Sequence, residues 1–191
     1  MRILCTTGWL LLAATACAQQ RLAFQDDLWR EFDLYRDRLT QLAKAIPQEK
    51  YDWRPEPKAR SVGEVLLHVS LNNYGLLEMM GRPAPADLFP SLPSNDAAER
   101  SRAVFRRGLA MEKEIAGKEK ILAAMERAWR DAAAPFRETS AEGLNAPALF
   151  GTRKTTVGGL QLRAVAHLHE HLGQLIAYAR SIGVKPPWSQ E

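Results

Sequence analysis

The chain has 191 residues, a formal net charge of +4 at pH 7 and only two cysteines. Acidic and basic residues are interspersed, and no basic stripe alternates with aromatic residues, which argues against a nucleic-acid-binding protein. The length suits one domain with a sizeable core.

The first 18 residues have the pattern of a secretory signal peptide. Arg2 gives a short positive region, residues 9–14 are apolar, and Ala16-Cys17-Ala18 is a small-residue cleavage signal. Cleavage after Ala18 leaves residues 19–191 as a single domain, exported to the periplasm or secreted. The apolar stretch is too short for a stable membrane anchor, so the mature chain is expected to have no transmembrane helix.

A second interpretation of the leader is a lipoprotein box at residues 14–17, with Cys17 lipidated. Such boxes usually have leucine where this chain has Ala14, which favours simple cleavage. Cys5 and Cys17 are the only cysteines. The mature domain therefore has no pair for a disulfide and depends on packing, or on packing and a metal.

Four later segments have the apolar spacing of amphipathic helices with one buried face. They are Leu22–Ile46, a segment from Ser61 to about Met80, a segment starting near Lys118, and a segment from Thr155 or Thr156 to about Ser181. The predicted fold is all-α, a four-helix bundle. Its three connections are long, about 14, 35 and 15 residues, so the topology need not be the simple up-down-up-down form.

Local signals set the predicted boundaries. Ser61-Val-Gly-Glu64 is a capping box that starts the second helix. Pro135 and then Thr139 mark the end of the third. The region from Pro83 to Glu112 predicts a Pro-rich loop followed by a short helix over residues 95–110, and no segment has strand-like alternation.

Three of the four histidines lie in the last helix. His167 and His171 are one turn apart on one face, whereas His169 points away. His68 lies at the margin of the core face of the second helix. Three neutral imidazoles suit zinc, nickel, iron or copper and leave a coordination position for water or substrate. The alternative is that each histidine is a partly buried, hydrogen-bonded helix residue.

Other polar residues near these positions have weaker claims. Glu64, Asn72 and Glu170 are candidates for a fourth, oxygen ligand, although the capping box already explains Glu64. Asn72 and Gln174 are candidates for hydrogen bonds to a metal-bound water. Tyr178 is either a proton donor near the site or a packing residue at the end of the bundle. The sequence identifies no catalytic acid or base.

Four motifs in order resemble the DinB/YfiT-like superfamily. They are Trp53-Arg-Pro55, the segment from Arg60 to His68, His167-x-x-x-His171-x-x-Gln174, and Gly183-Val-Lys-Pro-Pro. The resemblance covers nearly all of residues 19–191. It implies a bundle with up-down-down-up topology and one divalent metal, which His68, His167 and His171 would hold.

The resemblance implies several activities, among them thiol-dependent S-transfer, maleylpyruvate isomerisation and hydrolysis, and it does not choose a substrate. The chain departs from better-known members in its leader and in the insertion at residues 83–112, which either covers the site or elaborates the surface. Cytosolic thiols would not be available to an exported protein.

The predicted function is a metal-dependent enzyme whose ion, zinc, nickel, iron or manganese, activates water or a thiol. The alternative is a non-catalytic exported bundle that binds a metal or small ligand for sensing or storage. The expected partner is a small molecule rather than nucleic acid. The sequence is also compatible with a homodimer.

Overall fold

The computed structural model describes residues 7–90, 92 and 96–189, with side chains from Phe24 onward. In chain order the elements are α1 (Thr7–Ala45), a 3-10 turn (Gln48–Lys50), α2 (Val62–Met79), α3 (Ala97–Glu114), α4 (Lys118–Glu138), α5 (Ala141–Leu144), β1 (Pro147–Phe150), β2 (Arg153–Thr156) and α6 (Val157–Ser181). The first six residues of the expected signal peptide lie outside the described residues. Among the described residues, no helix is long and apolar enough to cross a membrane.

The bundle consists of α1, α2, α4 and α6. Helices α1 and α4 are antiparallel, because Lys118 Nζ at the start of α4 donates to Lys44 O at the end of α1, at 2.7 Å. At the other end of α4, Gln25 Nε2 near the middle of α1 donates to Arg137 O at 3.1 Å.

Helices α2 and α4 run in the same direction, since the Tyr74 hydroxyl in the second half of α2 donates to Asp131 in the second half of α4 at 2.8 Å. The end of α6 lies beside the start of α2, where the Tyr178 ring packs on Trp53 at 5.3 Å. The directions of α1, α2, α4 and α6 are therefore up, down, down and up, which confirms the fold that the resemblance implies.

The core lies between the four long helices, where the predicted apolar faces meet. Phe32 of α1 stacks on Phe136 of α4 with ring centroids 4.2 Å apart, and the Trp129 ring meets Phe32 edge-on at 6.2 Å. In α1, Leu28, Phe32, Leu39 and Leu42 are buried, as is Ile46 just beyond its end. Tyr35 is only partly buried and packs against His169.

The predicted caps are present. The Ser61 hydroxyl accepts the Glu64 amide at 3.3 Å, and the Glu64 carboxylate accepts the Ser61 amide at 2.8 Å, which completes the capping box. The Thr156 side chain caps α6. These bonds satisfy backbone donors that a helix N-terminus leaves free.

Two predictions about the connections, the short helix before α4 and the loop after α4, need correction. The helix predicted over residues 95–110 is longer and runs to Glu114, with the Asp96 side chain as its cap. Helix α4 continues past Pro135 to Glu138 and is capped by Thr139, the second of the two predicted end signals. Pro135 removes one helical hydrogen bond, the one that its own amide would donate. Its carbonyl accepts from the Gln161 side-chain amide and the Thr139 hydroxyl.

The expected loop between α4 and α6 contains a β-hairpin. Strands β1 and β2 pair antiparallel, with Phe150 opposite Arg153, and Gly151 in the turn has a φ of 61°. Each strand has only four residues, so the alternation of exposed Leu149 with partly buried Ala148 and Phe150 is too short to recognise in the sequence.

Candidate metal centre

Three imidazoles from two antiparallel helices converge on one point. His167 Nε2 lies 3.3 Å from His68 Nε2 and 3.1 Å from His171 Nε2. One ligand nitrogen from each of the three histidines lies within 4.8 Å of the other two. The structure therefore brings together the three histidines that the sequence singled out.

The helix geometry explains the convergence. His167 and His171 are four residues apart in α6, so their side chains leave the helix on the same face. His68 projects from α2, which packs against that face. His171 is buried and the side chain of His68 is 14% exposed, so the cluster lies at the edge of the core.

The outer nitrogens of two rings are held by hydrogen-bond acceptors. His68 Nδ1 lies 2.7 Å from Glu112 Oε1, and His171 Nδ1 lies 2.7 Å from Gln174 Oε1. The Gln174 amide nitrogen donates to the Tyr178 hydroxyl at 2.9 Å, which fixes the orientation of its oxygen. Both imidazoles therefore carry their proton on Nδ1 and turn the lone pair of Nε2 towards the cluster.

The surroundings of His167 and His171 favour neutral imidazoles. Burial, with smaller contributions from the two other histidines, Arg163 and Arg60, lowers the pKa of His167 to about 3. Burial also lowers the pKa of His171, although the hydrogen bond to Gln174 acts in the opposite direction. At neutral pH these nitrogens are available as ligands because no proton occupies their lone pairs.

The donor set fits one divalent ion. Nitrogen ligands of a tetrahedral zinc ion lie about 3.3–3.4 Å apart, given Zn–N bonds of about 2.0–2.1 Å, and the separations of 3.1 and 3.3 Å are close to this. A cation would accept lone pairs from all three nitrogens at once.

The sequence did not identify Glu112 as part of the site. This carboxylate comes from α3, within the region 83–112 that was expected either to cover the site or to elaborate the surface. Its side chain is 4% exposed, and besides His68 it binds Arg60 Nε at 2.8 Å. A glutamate in the run Glu112-Lys113-Glu114 has no local feature that marks it as buried.

Of the weaker candidates from the sequence, Asn72 and Gln174 contact the histidines and Glu64 does not. Asn72 Nδ2 lies 3.3 Å from His68 Nε2 and 3.2 Å from His167 Nε2, which places this amide in the cluster. Gln174 binds His171 directly. Glu64 instead pairs with Lys113 and Arg54 and accepts the Ser61 amide, so the capping interpretation holds.

His169 points away from the cluster, as predicted, and its ring lies 5.0 Å from that of Tyr35. Tyr178 contacts Gln174 and Trp53 at the end of the bundle, consistent with the packing role considered for it. Glu170 is exposed and lines a cavity beside the histidines.

That cavity has a volume of about 360 Å³. One wall carries the three histidines and Asn72, and the remaining lining is Arg60, Leu76, Phe105, Phe150, Arg163 and Glu170. A second cavity of about 530 Å³ meets the cluster at His171 and Arg60 and is bordered by Lys58 and Lys113. The centre is therefore accessible to small molecules.

The family follows from a comparison with known proteins. Residues 31–175 match the model of the DinB superfamily. The chain belongs to the DinB superfamily. A DinB-like protein from Bacillus cereus has the same fold, with a TM-score of 0.53 and 13% identity over 86% of this chain and 97% of that one.

A DinB-like protein from Bacillus subtilis gives a TM-score of 0.50 and 20% identity, over 86% of this chain and 98% of that one. At these identities the two structures support the fold alone. No curated protein matches the chain.

Proposed function

We propose that this DinB superfamily member is a divalent-metal-dependent enzyme in which His68, His167 and His171 hold one ion. The observation that carries the proposal is the convergence of three Nε2 atoms beside a cavity, with two of the rings fixed from behind by acceptors. When bound, such an ion acts as a Lewis acid that lowers the pKa of water or a thiol at its open position.

The other residues of the site have supporting roles. Glu112 and Gln174 hold His68 and His171 in the orientation that presents Nε2. The Asn72 amide borders the cavity beside His68 Nε2 and His167 Nε2, and we propose that it donates a hydrogen bond to a substrate bound at the open position of the ion. Among the described residues that line this cavity, Glu170 is the one carboxylate, and it is available to accept a proton.

Two reactions fit this arrangement, hydrolysis and transfer to a thiol. We also propose that the domain is exported, on the strength of the leader pattern in residues 1–18. Export favours hydrolysis, because water is available outside the cell whereas cytosolic thiols are not. N-terminal sequencing of the processed protein tests the export proposal, with Gln19 as the expected first residue and an unprocessed Met1 as the contradicting result.

Turnover tests the enzyme proposal. The metal-loaded protein is assayed with a panel of chromogenic esters and with thiol acceptors in the presence of small thiols. We expect activity that His171→Ala abolishes without loss of helicity, and that the control His169→Ala retains, because His169 lies on the other side of α6.

Bound metal without turnover across both panels would contradict the enzyme proposal and favour the alternative of a metal-binding bundle for sensing or storage. Activity that survives His171→Ala would place the reaction elsewhere in the molecule.

A further inference from the structure

The cavity of about 360 Å³ beside the three histidines has two kinds of lining. Leu76, Phe105 and Phe150 form an apolar part, and the charged side chains Arg60, Arg163 and Glu170 border it. A cavity of this size holds a small organic molecule. The apolar side chains would accommodate a hydrocarbon or aromatic body.

Arg60 is already engaged, because its guanidinium binds the buried carboxylate of Glu112 at 2.8 Å. Arg163 differs, since among the described residues no carboxylate lies within ion-pair distance of it. Its guanidinium lies over the Phe150 ring, 4.0 Å from the ring centroid. Stacking of this kind fixes the plane of the guanidinium and leaves the N–H groups at its edge free to bind an anion in a bidentate manner.

The location of Arg163 relates it to the reaction centre. It lies four residues before His167 in α6, so it shares the face that carries the histidines. Phe150 is the last residue of β1, and the hairpin also holds Arg153 over the same ring at a greater distance, 5.8 Å. The charged lining of the cavity, Arg60, Arg163 and Glu170, has a net positive charge that would attract anions.

We propose that the substrate is a small carboxylate with an apolar or aromatic body, and that Arg163 binds the carboxylate while Leu76, Phe105 and Phe150 contact the body. The inference rests on the proposed function, because it takes this cavity as the substrate site. It assigns Arg163 to substrate binding and gives it no part in holding metal.

The test is binding of 3-phenylpropanoate, measured by calorimetry on the protein as purified and after removal of metal with a chelator. Removal of metal prevents direct binding of the carboxylate to the ion. We expect 3-phenylpropanoate to bind at least tenfold more tightly than the neutral 3-phenylpropanol and than acetate, since each lacks one of the two recognised parts. Loss of a charge-assisted hydrogen bond weakens binding by about tenfold or more.

Arg163→Gln should therefore weaken 3-phenylpropanoate binding about tenfold or more, and Arg163→Lys should have an intermediate effect because it keeps the charge without the planar edge. Arg153→Gln is the matched control, since it removes a guanidinium over the same ring but outside the cavity lining, and it should leave binding within about twofold. Equal binding of acid and alcohol, or equal binding by the parent and Arg163→Gln, would overturn the proposal.

Metal content, measured in the same preparations, separates this inference from the proposed function. Arg163-dependent binding in a protein that never takes up metal would support the carboxylate site and contradict the metalloenzyme. If the protein holds metal and is active, but Arg163→Gln binds 3-phenylpropanoate as tightly as the parent does, only the carboxylate site is overturned.

Discussion

The Glu112 carboxylate connects α3 to the histidine cluster and gives the sharpest test of the site's geometry. One oxygen lies 2.7 Å from His68 Nδ1 and the other 2.8 Å from Arg60 Nε, in a side chain that is 4% exposed. Glu112→Gln keeps the shape but replaces one acceptor oxygen with an NH₂ group. That group must face either His68 or Arg60, both of which are donors.

The expected result is weaker metal binding with the fold retained. Loss of a partner that orients a metal-bound histidine typically reduces metal affinity by about 10- to 100-fold, or about 1.4–2.7 kcal/mol. Affinity is measured for zinc by competition with a chromogenic chelator, on protein without a histidine tag, and helicity is followed by circular dichroism.

Glu114→Gln is the matched control for this experiment. Glu114 lies two residues further along α3, but its side chain is 54% exposed and pairs with the exposed side chain of Arg107. We expect zinc affinity in this variant to equal that of the parent. If the zinc affinity of Glu112→Gln were also within about twofold of that of the parent, with unchanged helicity, the inference that Glu112 sets the tautomer and orientation of His68 would be refuted.

Two further predictions concern stability, measured as the free energy of unfolding in urea. A Cβ at Gly75 would meet the Phe105 ring, so Gly75→Ala should destabilise the protein by about 1 kcal/mol or more. A Cβ at Gly173 would meet nothing within 4 Å, so Gly173→Ala should stabilise α6 by about 0.5–1 kcal/mol. A change of the same sign in the stability of both variants would contradict this account. Burial raises the pKa of Tyr74 above its ordinary value of 10, so the folded state keeps this proton while the unfolded state releases it. The free energy of unfolding should consequently fall as the pH rises above about 10. It should fall less steeply with pH in Tyr74→Phe, and an equal pH dependence in the parent and this variant would contradict the reasoning.

The sequence predicted the bundle because its signals are local. Apolar residues at steps of three and four define the buried faces, and the capping box at Ser61 marks the start of α2. The histidines were recognisable for the same reason: His167 and His171 are one turn apart, and His68 lies at the edge of a predicted core face. The resemblance to a known family supplied the helix directions.

The rest of the site depends on long-range packing that no local pattern encodes. Glu112 is 44 residues from His68 along the chain, and only the packing of α3 on α2 brings them together. Arg163 was likewise indistinguishable from other exposed arginines until the β-hairpin placed Phe150 against it.

The central claim is that His68, His167 and His171 hold one metal ion, and metal content tests it most directly. The protein is purified without a chelator or histidine tag and analysed by elemental mass spectrometry, beside His68→Ala and His167→Ala. The account predicts about one divalent ion per chain in the parent and loss of that ion in both variants, with helicity unchanged. A parent without metal even after reconstitution, or variants that retain the ion, would contradict it.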